Sequence, residues 1–379
     1  MNTTKGNRVG LTALCAGLLT ASLGFFGAAA AESRESSSAV PSISVYVNSG
    51  LNNPRGLRFG PDGHLYVAEG GTGGQNPACT VVPAVGPYTG SDTGGRISRI
   101  DKHGRRSTVT DTLPSSQTSV ASGSLISGVA DIAFIDGTMY ALLSGAGCSH
   151  GVTTPNGIAR IHRDGTWELI ADLSAFQQAN PVKNPNPGDF EPDGTWWSMV
   201  AVRGDLYAVE PNHGEMDKIT THGKITRVID ISASQGHVVP TSIAHHDGNF
   251  YVSNLGTFDP DQLNTQGIFK ITPSGHLRVV ATGLSKVLGM EFDERGRLYV
   301  LEASYSATDP GPVPGTGRLI RVRHNGEQEV LIDSTSGLLT FPTGMTFGPD
   351  GALYISNVGF GPPPIGLGQI LRVELRDAD

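Results

Sequence analysis

Several absences narrow the reading of this chain before any motif is found. H-E-x-x-H, G-x-G-x-x-G and the phosphate-binding loop do not occur, which removes the usual signals of zinc proteases, dinucleotide enzymes and nucleotide hydrolases. Basic residues are outnumbered, 27 Lys and Arg against 35 Asp and Glu, and no basic stripe interleaves with aromatics. Such a surface repels phosphates, so nucleic acid is not an expected partner. No long segment has a 3.6-residue apolar period, which argues against a helical domain.

Cysteine is also scarce, three in 379 residues, and its placement is informative. Residues 1–31 show a basic start (Lys5, Arg8), an apolar run over 9–26 and a small-residue stretch ending in Ala29-Ala30-Ala31, the three parts of a cleavable signal peptide. The apolar run is diluted by Thr, Ser and Gly and sits at the short end of the ~20 residues a membrane span needs, so no span is expected after cleavage. Cleavage would remove Cys15 and move the net charge from −8 to −10. The mature chain is then expected to be secreted, extracellular or periplasmic, and a monomer. In that oxidising setting Cys79 and Cys148 are expected to form a disulfide. Residues 32–41 read as a Ser-rich linker and 376–379 as a short tail.

Glycine and repetition are what the chain has in abundance. With 51 Gly and 24 Pro it is rich in turns, and 38% hydrophobic residues supply a core. Six times a short apolar strand, a tight polar turn and a second strand carrying Tyr recur, at 56–66, 131–140, 198–207, 242–251, 289–299 and 344–354. Five copies are followed by a second hairpin, at 96–110, 158–171, 216–229, 268–280 and 319–332, each turning on a glycine. The sixth copy has only one further strand, 369–375, and residues 44–48 resemble an outer strand leading into an inner one. The expectation is an all-β fold over 42–375: a six-bladed β-propeller of four-stranded blades, the last blade closed by the N-terminal strand.

The blade phrase Pro-Arg-Gly-Leu-Arg-Phe-Gly-Pro-Asp-Gly-His-Leu-Tyr-Val-Ala-Glu at 54–69 resembles the NHL-repeat and gluconolactonase-like propellers. With Val-Glu-Pro-Asn-His-Gly at 209–214, the longer pattern resembles the ScyD/ScyE family of exported propellers, from about residue 42 to 375. The resemblance implies fold and export but no reaction. The gluconolactonase group begins its first inner strand with a metal-binding Glu, whereas this chain has Pro54, Arg55 and Gly56 there.

Blade connectivity places the long loops 70–95, 113–129, 173–197, 255–267, 303–317 and 358–368 on one face, where binding usually resides. Two candidate sites follow. In the loop 180–197, Trp196 and Trp197 beside Asp189 and Glu191, with His213 nearby, offer a stacking and hydrogen-bonding platform for a sugar or aromatic ligand. The alternative is that Trp197 plugs between blades and only Trp196 is available. The second site is the position three residues after each repeat Tyr, which holds Glu69, Leu143, Glu210, Asn254, Glu302 and Asn357. Its carboxylates and amides are candidate ligands for a divalent cation, Ca²⁺ being the best match to hard oxygen donors at irregular spacing. Arg55, Lys218 or water are the competing ways to neutralise such a ring.

Three function classes remain. The first is an exported ligand-binding or accessory protein that uses the loop face for a small-molecule, sugar or protein ligand. The second is a metal-assisted hydrolase, lactonase or lyase at the same mouth, and the third a quinone-dependent dehydrogenase.

Overall fold

In the computed structural model the described residues are 41–83, 85–119, 124–359 and 365–375. The expected signal peptide, nearly all of the linker and the tail lie outside them. The described chain forms six antiparallel sheets, five of them four-stranded. The inner strands are Pro54–Phe59, Val129–Ile135, Ser198–Val202, Pro240–His246, Val287–Phe292 and Gly344–Phe347. The fold is the six-bladed propeller that the repeats predict.

The ring closes as expected. Ser42–Leu51 pairs antiparallel with Gly368–Glu374, matching Val45 to Leu371 and Val47 to Ile370, and so supplies the outer strand of blade 6. Val47 and Leu51 are buried with Leu57, Leu65 and Ile370, so the N-terminal strand also packs against blade 1.

Blade 1 departs from the four-strand expectation. Its third and outer strands, Thr89–Ile100 and Arg106–Ser119, run past the blade proper and are joined by Ser124–Ser127 and the short Asn76–Pro77. Much of what the sequence reads as the loops 70–95 and 113–129 is therefore a β-extension. Polar Thr, Ser and Gly residues fill it, so no apolar alternation marks these strands.

The hydrophobic cores lie between blades. One cluster joins Leu142 and Ile158 of blade 2 to Met199, Leu206 and Ile219 of blade 3, with Trp196 fully buried among them. Outside these cores the blades are latched by their turns. Gly104, Gly165, Gly223 and Gly275 adopt φ of 74° to 85°, and a Cβ at any of them would lie 2.0–2.7 Å from a backbone oxygen of the preceding blade's outer strand. Each turn needs glycine twice, for its positive φ and for this close approach.

At the axis the inner strands meet tightly. A Cβ on Gly56 would lie 2.0 Å from the Asp131 carboxylate. Asp131 accepts from the Met199 amide (2.9 Å) and Ser198 hydroxyl (3.1 Å), tying blade 2 to blade 3. The space left on the axis is about 20 Å³, room for little more than one water. The channel is packed shut, and open space lies above it on the loop face.

Candidate functional site in the loop-face cavity

The residues expected to ring the mouth are instead built into the blades. The Glu69 carboxylate accepts from the Asn52 amide (2.5 Å), from Arg96 Nε and Nη2 (2.9 and 2.6 Å) and from the Ser98 hydroxyl. Glu210 accepts from the amides of Thr195 (2.9 Å) and His213 (2.5 Å). Glu302 accepts from the Ser285 amide (2.7 Å) and Arg318 (2.5 Å). Asn357 accepts from the Thr340 amide (2.8 Å) and Asn254 from the Gly267 amide (2.7 Å). In blades 1, 3, 5 and 6 the donor amide lies 15 to 17 residues upstream, in the loop entering the same blade. The repeated polar position is thus a loop latch, satisfying amides that burial would otherwise leave unpaired. Among the described residues no three His, Cys, Asp or Glu side chains come together in a group that could hold a metal ion. Lys218 lies elsewhere, paired with Asp205 at 2.7 Å.

Open space is found where the loops of blades 1 to 4 converge over the axis, in a cavity of about 490 Å³. That volume suits a small molecule. Arg55 and Trp197 lie at its base, Tyr88, Asp189, Glu191, Asn212 and His237 line it with polar groups, and Leu125, Leu255 and Phe258 are its apolar lining. Asp189, Glu191 and Trp197 are the expected residues that do face this space.

Two expectations need correction. Trp196 is fully buried between blades 2 and 3 with its indole N–H directed at Asp217 (3.4 Å), and Trp197 is the ring that lines the cavity. Neighbouring residues in extended chain point to opposite sides, so one Trp of the pair enters the core and the other faces the cavity. His213 is buried behind the wall: Nε2 meets the Glu191 carbonyl at 2.8 Å and its ring packs on Phe190 at 4.8 Å. It holds the loop that carries Glu191.

Two imidazole–carboxylate pairs that no sequence spacing announces lie at the cavity, one on its lining and one reaching it only through Glu191. His237 Nε2 lies 2.9 Å from Asp189 Oδ2, both lining the cavity. His150 Nε2 lies 3.3 Å from Glu191 Oε2, where the angles do not make a hydrogen bond, and the Tyr88 hydroxyl donates to Glu191 Oε1 at 3.2 Å. His150 is fully buried and Glu191 3% exposed. Burial raises the Glu191 carboxyl above its ordinary value, His150 and Tyr88 counter it, and Glu210 adds to the rise. Burial, then Glu191, pushes the Tyr88 phenol well above its ordinary value.

The loops are held in place covalently. Cys79 and Cys148 form the expected disulfide, with Cα atoms 5.5 Å apart, joining the blade 1 loop that carries Tyr88 to the blade 2 turn Cys148–His150. Residues 147–151, Gly-Cys-Ser-His-Gly, also spell G-x-S-x-G. They form a disulfide-anchored 3-10 turn with Ser149 fully buried, not the exposed strand-to-helix elbow that motif requires.

Arg55 occupies the base of the cavity. Where the resemblance implies a metal-binding carboxylate, its guanidinium donates to the Ile126 carbonyl (2.6 Å) and lies 4.7 Å over the Trp197 ring. Burial pulls it down to about 10, so it remains a cation at neutral pH. A cation is already part of the site, and the donors present do not fit a divalent ion beside it.

No family model matches the chain. A gluconolactonase of Zymomonas mobilis subsp. mobilis is 22% identical over 213 residues, 51% of this chain and 58% of that protein, so the chain spans less than two thirds of that relative's length. Among solved structures, a protein of unknown function from Bacteroides thetaiotaomicron superposes with a TM-score of 0.56 at 12% identity over 88% of this chain and 76% of that one. A gluconolactonase from Xanthomonas campestris gives 0.52 at 10% identity over 89% and 90%. These likenesses are of fold: the chain has the six-bladed, gluconolactonase-like propeller architecture.

Proposed function

We propose that the protein is an exported binding propeller of ScyD/ScyE type whose loop-face cavity takes a neutral, hydroxylated ring, a sugar or sugar lactone. The observation that carries this reading is the base of the cavity, where the Trp197 ring is held against the Arg55 cation beneath 490 Å³ of open space. An aromatic face stacks on the C–H face of a sugar ring, while Asp189, Glu191, Asn212 and Tyr88 offer acceptors and donors to its hydroxyls. The acids around Arg55 leave no surplus of positive charge for a polyanion. Export is supported by the leader-like residues 1–31 and by the disulfide, and no helix among the described residues is long and apolar enough to cross a membrane.

The test is a tryptophan-fluorescence titration with freshly dissolved D-glucono-1,5-lactone at mildly acidic pH. A saturable change that disappears in Trp197→Phe, with affinity weakened about tenfold in Trp197→Ala, is expected from the loss of about 1.4 kcal/mol of stacking. No saturable change, or one that survives in Trp197→Phe, contradicts the reading.

A further inference from the structure

The repeat that builds the blades also carries a charge pattern, and one blade breaks it. In all six blades the Tyr of the second strand lies opposite a cation of the third strand: Tyr66 and Arg99, Tyr140 and Arg160, Tyr207 and Lys218, Tyr251 and Lys270, Tyr299 and Arg321, Tyr354 and Arg372. In five of them an acid sits beside that cation. Arg99 meets Asp62 at 3.0 Å, Arg160 meets Glu168 at 2.7 Å, Lys218 meets Asp205 at 2.7 Å, Arg321 meets Glu329 at 2.5 Å and Arg372 meets Asp350 at 2.8 Å. In blade 4, Lys270 stands over the Tyr251 ring at 5.4 Å, and directly opposite it on the outer strand is Arg278, a second cation. Glu168 and Glu329 hold that outer-strand position in blades 2 and 5. Among the described residues neither Lys270 nor Arg278 forms an ion pair. Like charges directly opposite on one face of a sheet repel, so blade 4 carries a tension that the other blades lack.

The seam beside these two cations is also looser than the others. A Cβ on Gly326, in the third-to-outer turn of blade 5, would lie 3.4 Å from the Val280 carbonyl oxygen of blade 4, against 2.0–2.7 Å at the corresponding glycines of blades 1 to 4. An open cavity of about 760 Å³ lies there, on the face opposite the long loops, and Lys270 and Arg278 line it with Val279, Phe292, Arg323 and His324. Its acids, Asp247 and Glu327, already lie beside His246 (3.4 Å) and Arg323 (3.8 Å). Salt screens exposed charges beyond about 8 to 10 Å, so these local cations outweigh the net negative charge of the chain here.

We propose that this wedge between blades 4 and 5 binds a phosphate monoester, whose dianionic head takes the place of the missing acid between Lys270 and Arg278. Two cations without a carboxylate call for two negative charges on one group, and a phosphate monoester carries about 1.5 to 2 at neutral pH. Its three oxygens accept from the ammonium and the guanidinium together. The cavity is far larger than the head, so an organic body fits beside it against Val279 and Phe292. The site is separate from the loop-face cavity and does not depend on what that cavity binds.

The test is calorimetric titration of the full-length protein at pH 8 and low ionic strength with phenyl phosphate, inorganic phosphate and phenyl sulfate, the last matching phenyl phosphate in shape with one charge fewer. Phenyl phosphate is expected to bind saturably, at least about tenfold more tightly than phenyl sulfate and more tightly than inorganic phosphate, and Lys270→Gln should weaken it about tenfold. Arg278→Glu restores at an exposed position the acid of blades 2 and 5. It should abolish binding and raise the melting temperature by about 1 to 2 °C in phosphate-free buffer. Phenyl sulfate bound as tightly as phenyl phosphate overturns the dianion, and inorganic phosphate bound as tightly overturns the ester. No saturable binding, or binding unchanged in Lys270→Gln and Arg278→Glu, overturns the site. A melting temperature lowered by Arg278→Glu overturns the missing acid, by showing that the blade needs its second cation.

Discussion

Asp217 and Glu215 project from one side of the third strand of blade 3, two buried carboxyls near the Trp196 indole. Glu215 accepts from Arg227 and from Gln177 (3.1 Å), while Asp217 Oδ1 has no hydrogen-bond partner. Burial raises Asp217 well above the carboxylate range, helped by Glu215, and lifts Glu215 to about 7. A carboxyl raised on folding binds its proton more tightly in the folded state. Its stabilisation is complete below the unfolded value near 4.5 and is lost as pH rises towards 7. Denaturant midpoints should therefore fall between pH 4.5 and 7. Asp217→Asn should be more stable than the wild type at pH 8, by about 1 to 3 kcal/mol, with a flatter profile. A less stable variant with an unchanged pH slope would show that the ionised aspartate is needed. The same local view explains the Trp pair. The sequence shows two adjacent indoles beside acids, but which one enters the core depends on where strand Ser198–Val202 begins, a boundary that propensity locates only to a few residues.

At the scale of elements, the turn glycines make a graded prediction. Gly204 has φ 84° and a Cβ added there would meet nothing within 4 Å, whereas at Gly223, with φ 83°, it would lie 2.0 Å from the Ile170 carbonyl oxygen. Gly204→Ala should cost only the positive-φ penalty, about 1 kcal/mol. Gly223→Ala should cost at least about 2 kcal/mol more, because blades 2 and 3 must separate locally. Equal losses in chemical denaturation would refute the latch. For the loop pair, replacing Cys79 and Cys148 by Ala should cost about 2 to 4 kcal/mol, and thiol titration of unreduced, denatured protein should find no free thiol at either position. Deleting residues 42–51 should expose the edge of Gly368–Glu374 and drive concentration-dependent aggregation, visible by light scattering. These elements were legible because each repeats: six Tyr-bearing strands and five glycine turns fix the blades. The extension of blade 1 was not, since Thr89–Ile100 and Arg106–Ser119 gain their outer halves from pairing with each other and not from an apolar pattern.

For the whole molecule, closing six blades into a ring leaves little space on the axis, and the loops of blades 1 to 4 enclose a cavity of about 490 Å³ above it on the loop face. The sequence located that face and three of the cavity's residues, Asp189, Glu191 and Trp197. It could not locate Tyr88, His150 and His237, which arrive from the loops of three different blades with no fixed spacing, and meet only because the ring brings those loops over one point. The polar position of the repeats has a structural duty of its own. In blades 1, 3, 5 and 6 the polar residue at the end of the second strand latches the entering loop. The central claim is that this cavity is where the ligand sits. A crystal structure of the protein soaked with D-glucono-1,5-lactone, or with the acid to which it opens, tests it most directly. The account predicts a ring stacked on Trp197 with its oxygens within hydrogen-bonding distance of Glu191 and His237. An empty cavity at saturating ligand, or the ligand bound elsewhere on the ring, would contradict it.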